Sequence, residues 1–209
     1  MSAREAERHE RVARDLAGAG FSIQPGFLPR GECARLARRG RALWRRGALR
    51  EAAIGRGAAR ERRPEIRGDF VRWIDPTAAT RGEAALLARI ERLRAALNRS
   101  LQLGAFDLEM HWALYPPGAH YARHLDRLRG DRARVVSLVL YLNEAWQPRD
   151  GGMLRLHLDA NTQRDVAPLA GTLVAFLSDR FEHEVLPARR ERLSLTGWLR
   201  RRAEMPVRV

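Results

Sequence analysis

Tyr121-Ala122-Arg123-His124-Leu125-Asp126 is the stretch on which the reading of this chain turns. His124 and Asp126 are two residues apart, and on an extended strand such residues point to the same face. An imidazole and a carboxylate then reach into one space. A second imidazole, His183, arrives from a later segment. Two histidines and a carboxylate on one side of a metal form the facial triad that suits non-haem iron(II) and leaves positions open for other ligands. One HxD in a chain with six histidines carries little weight alone. Its company matters: it lies just before a charged loop, Arg127 to Arg132, and an arginine follows the second histidine. His9, His111, His120 and His157 lack such company and read as surface or structural residues.

That arginine is Arg192, in the run Arg192-Leu193-Ser194-Leu195-Thr196-Gly197-Trp198. Strand alternation puts Arg192, Ser194, Thr196 and Trp198 on one face and Leu193, Leu195 and Leu199 on the other. The leucines suit an outer packing layer. An inward-facing arginine without an anion would be costly. A fixed cation beside a hydroxyl suits the distal carboxylate of 2-oxoglutarate.

Around this centre the chain divides in two. The first half, mainly 1–104, reads as helical. Helices are predicted over Ala3 to Leu16, Arg30 to Trp44 and Gly82 to Leu101. In the last of these Leu86, Ile90, Leu93, Leu97 and Leu101 make a buried stripe. Short strands are expected at Phe21 to Ile23, Leu49 to Ile54 and Ile66 to Asp75, with a glycine- and arginine-rich loop over 55–64. The second half, mainly 105–201, reads as strands at Phe106 to Tyr115, Tyr121 to Asp126, Arg134 to Asn143, Met153 to Leu158, Gln163 to Val166, Thr172 to Leu177, Glu184 to Leu186 and Arg192 to Arg200. Asp150-Gly151-Gly152 marks a turn. Eight short strands after a helical half predict an α+β chain, 1–209 as one domain: a double-stranded β-helix, the cupin-like jelly roll, packed by N-terminal helices.

Composition narrows the classes. Hydrophobic residues make up 45% of the 209, which predicts a globular fold. The single cysteine, Cys33, excludes an intrachain disulfide and fits a reducing compartment. The charged N-terminus has no signal-peptide core, and the apolar runs are too short to span a bilayer, so no membrane partner and a cytoplasmic location are expected. The net charge is +14, yet there is no lysine, and the arginines are spread along the chain. That pattern reads as genome composition and a solvated surface, and it argues against a nucleic-acid partner.

The ordered set Ile66-Arg67-Gly68-Asp69, Trp73-Ile74, Tyr115-Pro116, His124-Leu125-Asp126, Tyr141-Leu142-Asn143, Gly151-Gly152, His183-Glu184-Val185 and Arg192 to Trp198 resembles the 2-oxoglutarate- and iron(II)-dependent dioxygenases of the prolyl 4-hydroxylase type. The resemblance is to the oxygen-sensing prolyl hydroxylases and their bacterial relatives, and it runs from about Phe21 onward. It implies iron(II) on His124, Asp126 and His183, and 2-oxoglutarate anchored by Arg192 with Tyr141 and Thr196. Tyr115 is placed near the keto-acid end and Trp198 in the shielding wall. Dioxygen is the second co-substrate, with ascorbate a candidate accessory. The implied reaction hydroxylates a prolyl residue of a protein and releases succinate and carbon dioxide. Arg67, Asp69 and Arg134 are candidate substrate contacts, and 55–64 corresponds to a loop that closes over peptide. Elongation factor Tu is one candidate substrate. The alternatives are the same chemistry on a free amino acid or small molecule, a nucleic-acid-directed oxygenase, a cupin metal enzyme without 2-oxoglutarate, and an inactive basic module. The nucleic-acid branch carries a second arginine where this chain has Trp198. The chain also ends at Val209, where the animal enzymes continue into a substrate-gripping helix, so the substrate stays open between a protein prolyl site, another peptide residue and a free amino acid.

Overall fold

The computed structural model describes residues 2–54, 61–127 and 133–202. Its elements run α1 (Ala3–Gly18), β1 (Phe21–Gln24), α2 (Arg30–Arg45), β2 (Arg50–Glu51), β3 (Phe70–Trp73), α3 (Arg81–Leu101), β4 (Asp107–Tyr115), β5 (Tyr121–His124), β6 (Arg134–Tyr141), β7 (Leu154–His157), β8 (Gln163–Val166), β9 (Leu173–Leu177), β10 (Glu182–Val185) and β11 (Arg192–Arg200). Among the described residues all strand pairs are antiparallel. The major sheet has the order β1-β9-β6-β11-β4-β3-β2 and the minor sheet β5-β10-β7-β8. This is the jelly roll with N-terminal helices that the alternation predicts.

Two apolar layers follow from the period of two. One face of the major sheet offers Leu193, Leu195 and Leu199 with Trp112, Leu114 and Leu140 to the helices, which answer with Val12, Leu16, Leu36, Ile90 and Leu93, all buried. The opposite face offers Tyr115, Val139, Tyr141, Val174 and Phe176 to Leu154, Leu156 and Val185 of the minor sheet. Each such side chain, fully buried, is worth about 1.5–3 kcal/mol.

Local chemistry fixes how the helices meet the sheet. Thr80 caps α3 and Glu83 closes a capping box. The same Glu83 carboxylate accepts from the Trp112 indole at 2.9 Å, tying the start of α3 to β4. In the middle of α2 stands Gly40. A Cβ there would lie 2.8 Å from both Leu193 Cδ2 and Trp112 Cζ3, so the absent side chain sets the distance between helix and sheet.

Several strand limits differ from the sequence reading. The expected strand Leu49 to Ile54 keeps ladder pairing only over Arg50–Glu51, because Ile54 turns to pair with Glu61. Of the loop expected over 55–64, residues 55–60 lie outside the described residues, while Glu61 pairs with Ile54 and Arg62 with Glu51. The strand expected over Ile66 to Asp75 is divided because the segment crosses between sheets. Arg67 pairs with Tyr121 of the minor sheet, and Phe70 pairs with Leu114 of the major one. At the crossing, Gly68 N–H donates to His120 O at 2.9 Å. Strand β5 ends at His124, so Asp126 lies in the bend beyond it. Strand β10 begins at Glu182 rather than Glu184, which brings His183 onto the strand itself. Among the described residues no helix is long and apolar enough to cross a membrane.

Candidate active site

Strand register assembles the site. His183 on β10 lies directly opposite His124 on β5, and their ring centroids are 4.2 Å apart. Asp126 comes in from the bend after β5. His124 Nε2 lies 3.8 Å from Asp126 Oδ1 and His183 Nε2 lies 3.6 Å from Oδ2. One donor atom from each residue falls within 4.8 Å of the others, so one ion can reach all three. The far side of each ring is tied back: His124 Nδ1 to Ala122 O at 2.7 Å, and His183 Nδ1 to Phe181 O at 3.3 Å. A carbonyl accepts only from N–H, so each Nδ1 carries the proton and each Nε2 lone pair faces inward. Tyr121 stacks on His124 at 3.6 Å and Phe176 meets His183 edge-on at 4.7 Å.

The carboxylate is also held. Ser137 Oγ donates to Asp126 Oδ2 at 2.6 Å and shares a 2.9 Å bond with Ser178 Oγ. Burial works to raise the Asp126 pKa. The facing His183 and His124, the Ser137 hydroxyl and the Trp198 indole outweigh it, leaving the pKa below the usual carboxylate range. Burial, then the neighbouring His183, pushes His124 down to about 3. The donors are thus an anion and an uncharged imidazole, the forms that bind a metal ion.

Arg192 opens β11 opposite Tyr115, and Ser194 next along lies opposite Tyr141. The Arg192 side chain is 1% exposed. Its Nε donates to Gly152 O at 2.9 Å. Its guanidinium carbon sits 5.1 Å from the Tyr115 ring centroid and 5.0 Å from that of Tyr141. Among the described residues neither Arg192 Nη2 nor the Tyr141 hydroxyl has a hydrogen-bond partner. Burial pushes the Tyr141 phenol up to about 12, against the pull of Arg192, so it stays a protonated donor. A buried guanidinium with a phenol packed beside it fits a carboxylate, and the donor set of His124, Asp126 and His183 fits iron(II). Gly152 has φ +67°, and a Cβ on it would come within 3.3 Å of Arg192 Cδ, so glycine lets the turn press against the arginine stem.

His124, Asp126, His183 and Arg192 line one cavity of about 570 Å³. Thr196, Trp198, Tyr115, Arg67, Asp69 and Arg134 border it as well. Arg67 and Asp69 form a two-pronged ion pair, at 2.6 and 3.0 Å. Burial disfavours the Arg67 charge, but Asp69 outweighs it and holds the pKa above the ordinary range. Arg134 lies over the Trp198 ring at 3.5 Å and donates to Glu109. Tyr141 does not border the cavity itself and packs against the Arg192 guanidinium.

One cavity histidine reads as structural in the sequence. His111 borders the cavity and is buried. Alternation is the signal that finds it, because His111, Ala113 and Tyr115 share a face of β4 and the resemblance places Tyr115 at the co-substrate. Of the other histidines, His120 is partly exposed beside Glu65 O, His157 pairs with Glu184 on the minor sheet, and His9 is buried in α1.

Comparison with known proteins agrees with this geometry. The 2OG-Fe(II) oxygenase superfamily model matches residues 110–200. A prolyl-4-hydroxylase from Pseudomonas putida is 51% identical, with 92% of this chain and 99% of that one covered, at a TM-score of 0.85. A Trichoplax adhaerens prolyl hydroxylase, solved with a hypoxia inducible factor oxygen degradation domain peptide fragment, is 29% identical over 93% of this chain and 90% of that one, at 0.83. A Phytophthora capsici prolyl 4-hydroxylase shares the fold at 24% identity and a TM-score of 0.76, over 97% of this chain and 67% of that one. With its jelly roll, its facing imidazoles and a likeness that spans nearly the whole chain, this protein belongs to the prolyl 4-hydroxylase type of the 2-oxoglutarate- and iron(II)-dependent oxygenases.

Proposed function

We propose that this protein hydroxylates a prolyl residue in a protein substrate. In this reading 1–209 is one dioxygenase domain. His124, Asp126 and His183 hold iron(II), while Arg192 and Tyr141, assisted by Thr196, hold the distal carboxylate of 2-oxoglutarate. Tyr115 flanks its keto-acid end. Iron(II) held there would supply, with 2-oxoglutarate and dioxygen, the oxidising power for C–H hydroxylation, with succinate and carbon dioxide as the co-products.

The chain's own residues do the rest. Ala122 O and Phe181 O fix the tautomer and tilt of the two imidazoles. Ser137 keeps the Asp126 carboxylate aimed inward. Arg192 fixes the far end of the co-substrate, so its reactive end has one orientation. Trp198 and Val185 exclude water from one side of the cavity. Arg67, Asp69 and Arg134 are the proposed polar rim for the polypeptide, with Asp69 holding Arg67 in place.

One observation carries the substrate assignment. The likeness to prolyl hydroxylases covers 92–93% of the chain, well beyond 110–200, and part of the cavity wall, Ala52, Ile54, Arg67 and Trp73, comes from the stretch before 110. A peptide accompanies one of those relatives. The test is 2-oxoglutarate turnover coupled to a +16 Da shift, run in parallel on a host protein extract, free L-proline and methylated oligonucleotides. Elongation factor Tu is the first single protein to map. Turnover coupled to the oligonucleotides or to free proline, with no modified protein, would defeat the proposal. The metal assignment has its own check: His183→Ala should abolish the anaerobic charge-transfer band of the iron–2-oxoglutarate complex.

A further inference from the structure

Both ring nitrogens of His111 are buried without a hydrogen-bond partner among the described residues. Such a group destabilises the folded chain unless something relieves it. The imidazole faces the cavity from β4, in register with Trp73 of β3 and Thr196 of β11. It forms a triangle of rings with two indoles: Trp73 at 4.8 Å and Trp198, stacked, at 5.4 Å, the indoles themselves being 6.2 Å apart. The two neighbours are not equally exposed. Trp198 is 5% exposed and backed by Arg134, whereas Trp73 is 49% exposed and has solvent to move into.

We propose that His111 is a substrate-binding residue, whose imidazole hydrogen-bonds a backbone peptide group of the polypeptide beside the target prolyl residue when Trp73 moves off the ring. The inference rests on the prolyl-hydroxylase reading and adds a specificity contact to it. A peptide group is uncharged and offers a donor and an acceptor; a neutral imidazole offers the same pair. Burial, with Arg67 and Arg134 nearby, pushes His111 down to about 3, so it is uncharged at working pH. An anionic ligand would call for a cation at this position, and the carboxylate of the co-substrate already meets one in Arg192. A purely apolar wall would serve a prolyl ring alone; the imidazole adds recognition of the chain that carries it.

The test compares the wild type with His111→Leu, which keeps the volume, and His111→Gln, which keeps donor and acceptor. Prolyl +16 Da formation is followed at several dilutions of a host protein extract, beside anaerobic 2-oxoglutarate titration of the iron(II) protein and thermal melting. His111→Leu should lower kcat/KM for protein hydroxylation about tenfold, mostly through KM. It should leave the 2-oxoglutarate titration unchanged and melt no lower than the wild type, because an unpartnered buried polar group is gone. His111→Gln should recover most of the loss. Wild-type kinetics in His111→Leu would overturn the assignment while leaving the prolyl-hydroxylase reading intact. Equal losses in both variants would also overturn it, reducing His111 to packing. If the wild type modifies no prolyl residue, the reading beneath the inference fails, and the inference with it.

Discussion

Replacing Arg192 with Met should uncouple co-substrate binding from iron binding. Arg192 is buried and spends Nε on Gly152 O, and among the described residues its Nη2 has no hydrogen-bond partner. A charge-assisted contact of this kind is worth about 1.5–3 kcal/mol. Leaving a carboxylate facing a thioether puts the loss at the upper end, about 3 kcal/mol or about 150-fold in Kd. The melting temperature reports it. At about 100 times Kd, 2-oxoglutarate stabilises the wild-type iron protein by about 2.7 kcal/mol. For a chain of this size that is about 5–11 °C. At the same concentration Arg192→Met retains about 0.3 kcal/mol, near 1 °C. Iron(II) affinity should stay within about threefold, since Arg192 contacts no proposed ligand. Without co-substrate the variant should melt no lower than the wild type, because a buried charge with an unmet donor has been removed. A full 2-oxoglutarate-dependent shift in Arg192→Met would refute the reasoning and move the anchor elsewhere.

Three further outcomes follow from the geometry. Ser137→Ala removes the 2.6 Å bond to Asp126 Oδ2; the Asp126 pKa should rise and metal affinity fall about tenfold, read by Mn(II) or Co(II) titration, and unchanged affinity would exclude Ser137 as a support. His111 is held near 3 by burial, then by Arg67 and Arg134; the unfolded chain therefore binds the extra proton between about pH 6.5 and 3, and stability is lost as pH falls through that window. Each unit costs about 1.4 kcal/mol, so between pH 6.5 and 5 the wild type should lose about 2 kcal/mol more than His111→Leu in urea unfolding, and parallel losses would contradict the buried neutral imidazole. Gly40→Ala sets a helix-propensity gain of about 1 kcal/mol against an overpacking cost of about 1–3 kcal/mol. With Trp112 and Leu193 both at 2.8 Å from the added Cβ, the clash should win and melting should fall by a few degrees; a rise would mean that α2 shifts freely.

The sequence makes plain whatever depends on alternation within a single strand. Strand β11 is the clearest case: Arg192, Thr196 and Trp198 face the cavity while Leu193, Leu195 and Leu199 face the helices, as a period of two requires. Helix α3 is legible for the same reason at a period of 3.6. What alternation cannot supply is a change of partner. Ile66 to Asp75 reads as one strand, but hydrogen bonding passes from Tyr121 to Leu114 within it, and no local propensity marks the crossing. Asp126 is similar. The two-residue spacing from His124 brings it to the site, but it lies past the end of β5 and is held from outside the strand by Ser137. The hydroxyl of Ser137 belongs to a strand that reads as plain apolar core, so its role emerges only from the approach of the bend.

His111 shows the other limit. Its own sequence neighbourhood, Met110 and Trp112, is core, and a histidine there reads as packing. The face it takes is decided by Tyr115 four residues later, through the pleat of β4. The row formed by Trp73, His111 and Thr196 exists only because β3, β4 and β11 pair in that register. A shift of one residue in either pairing would turn His111 or its neighbours toward the helices. The same register sets Arg192 opposite Tyr115 and Ser194 opposite Tyr141. The apolar layer against the helices and the polar layer around the cavity are therefore fixed together. A substitution that weakens the outer leucines of β11 should disturb co-substrate binding as well as stability, because those leucines hold the register that places Arg192.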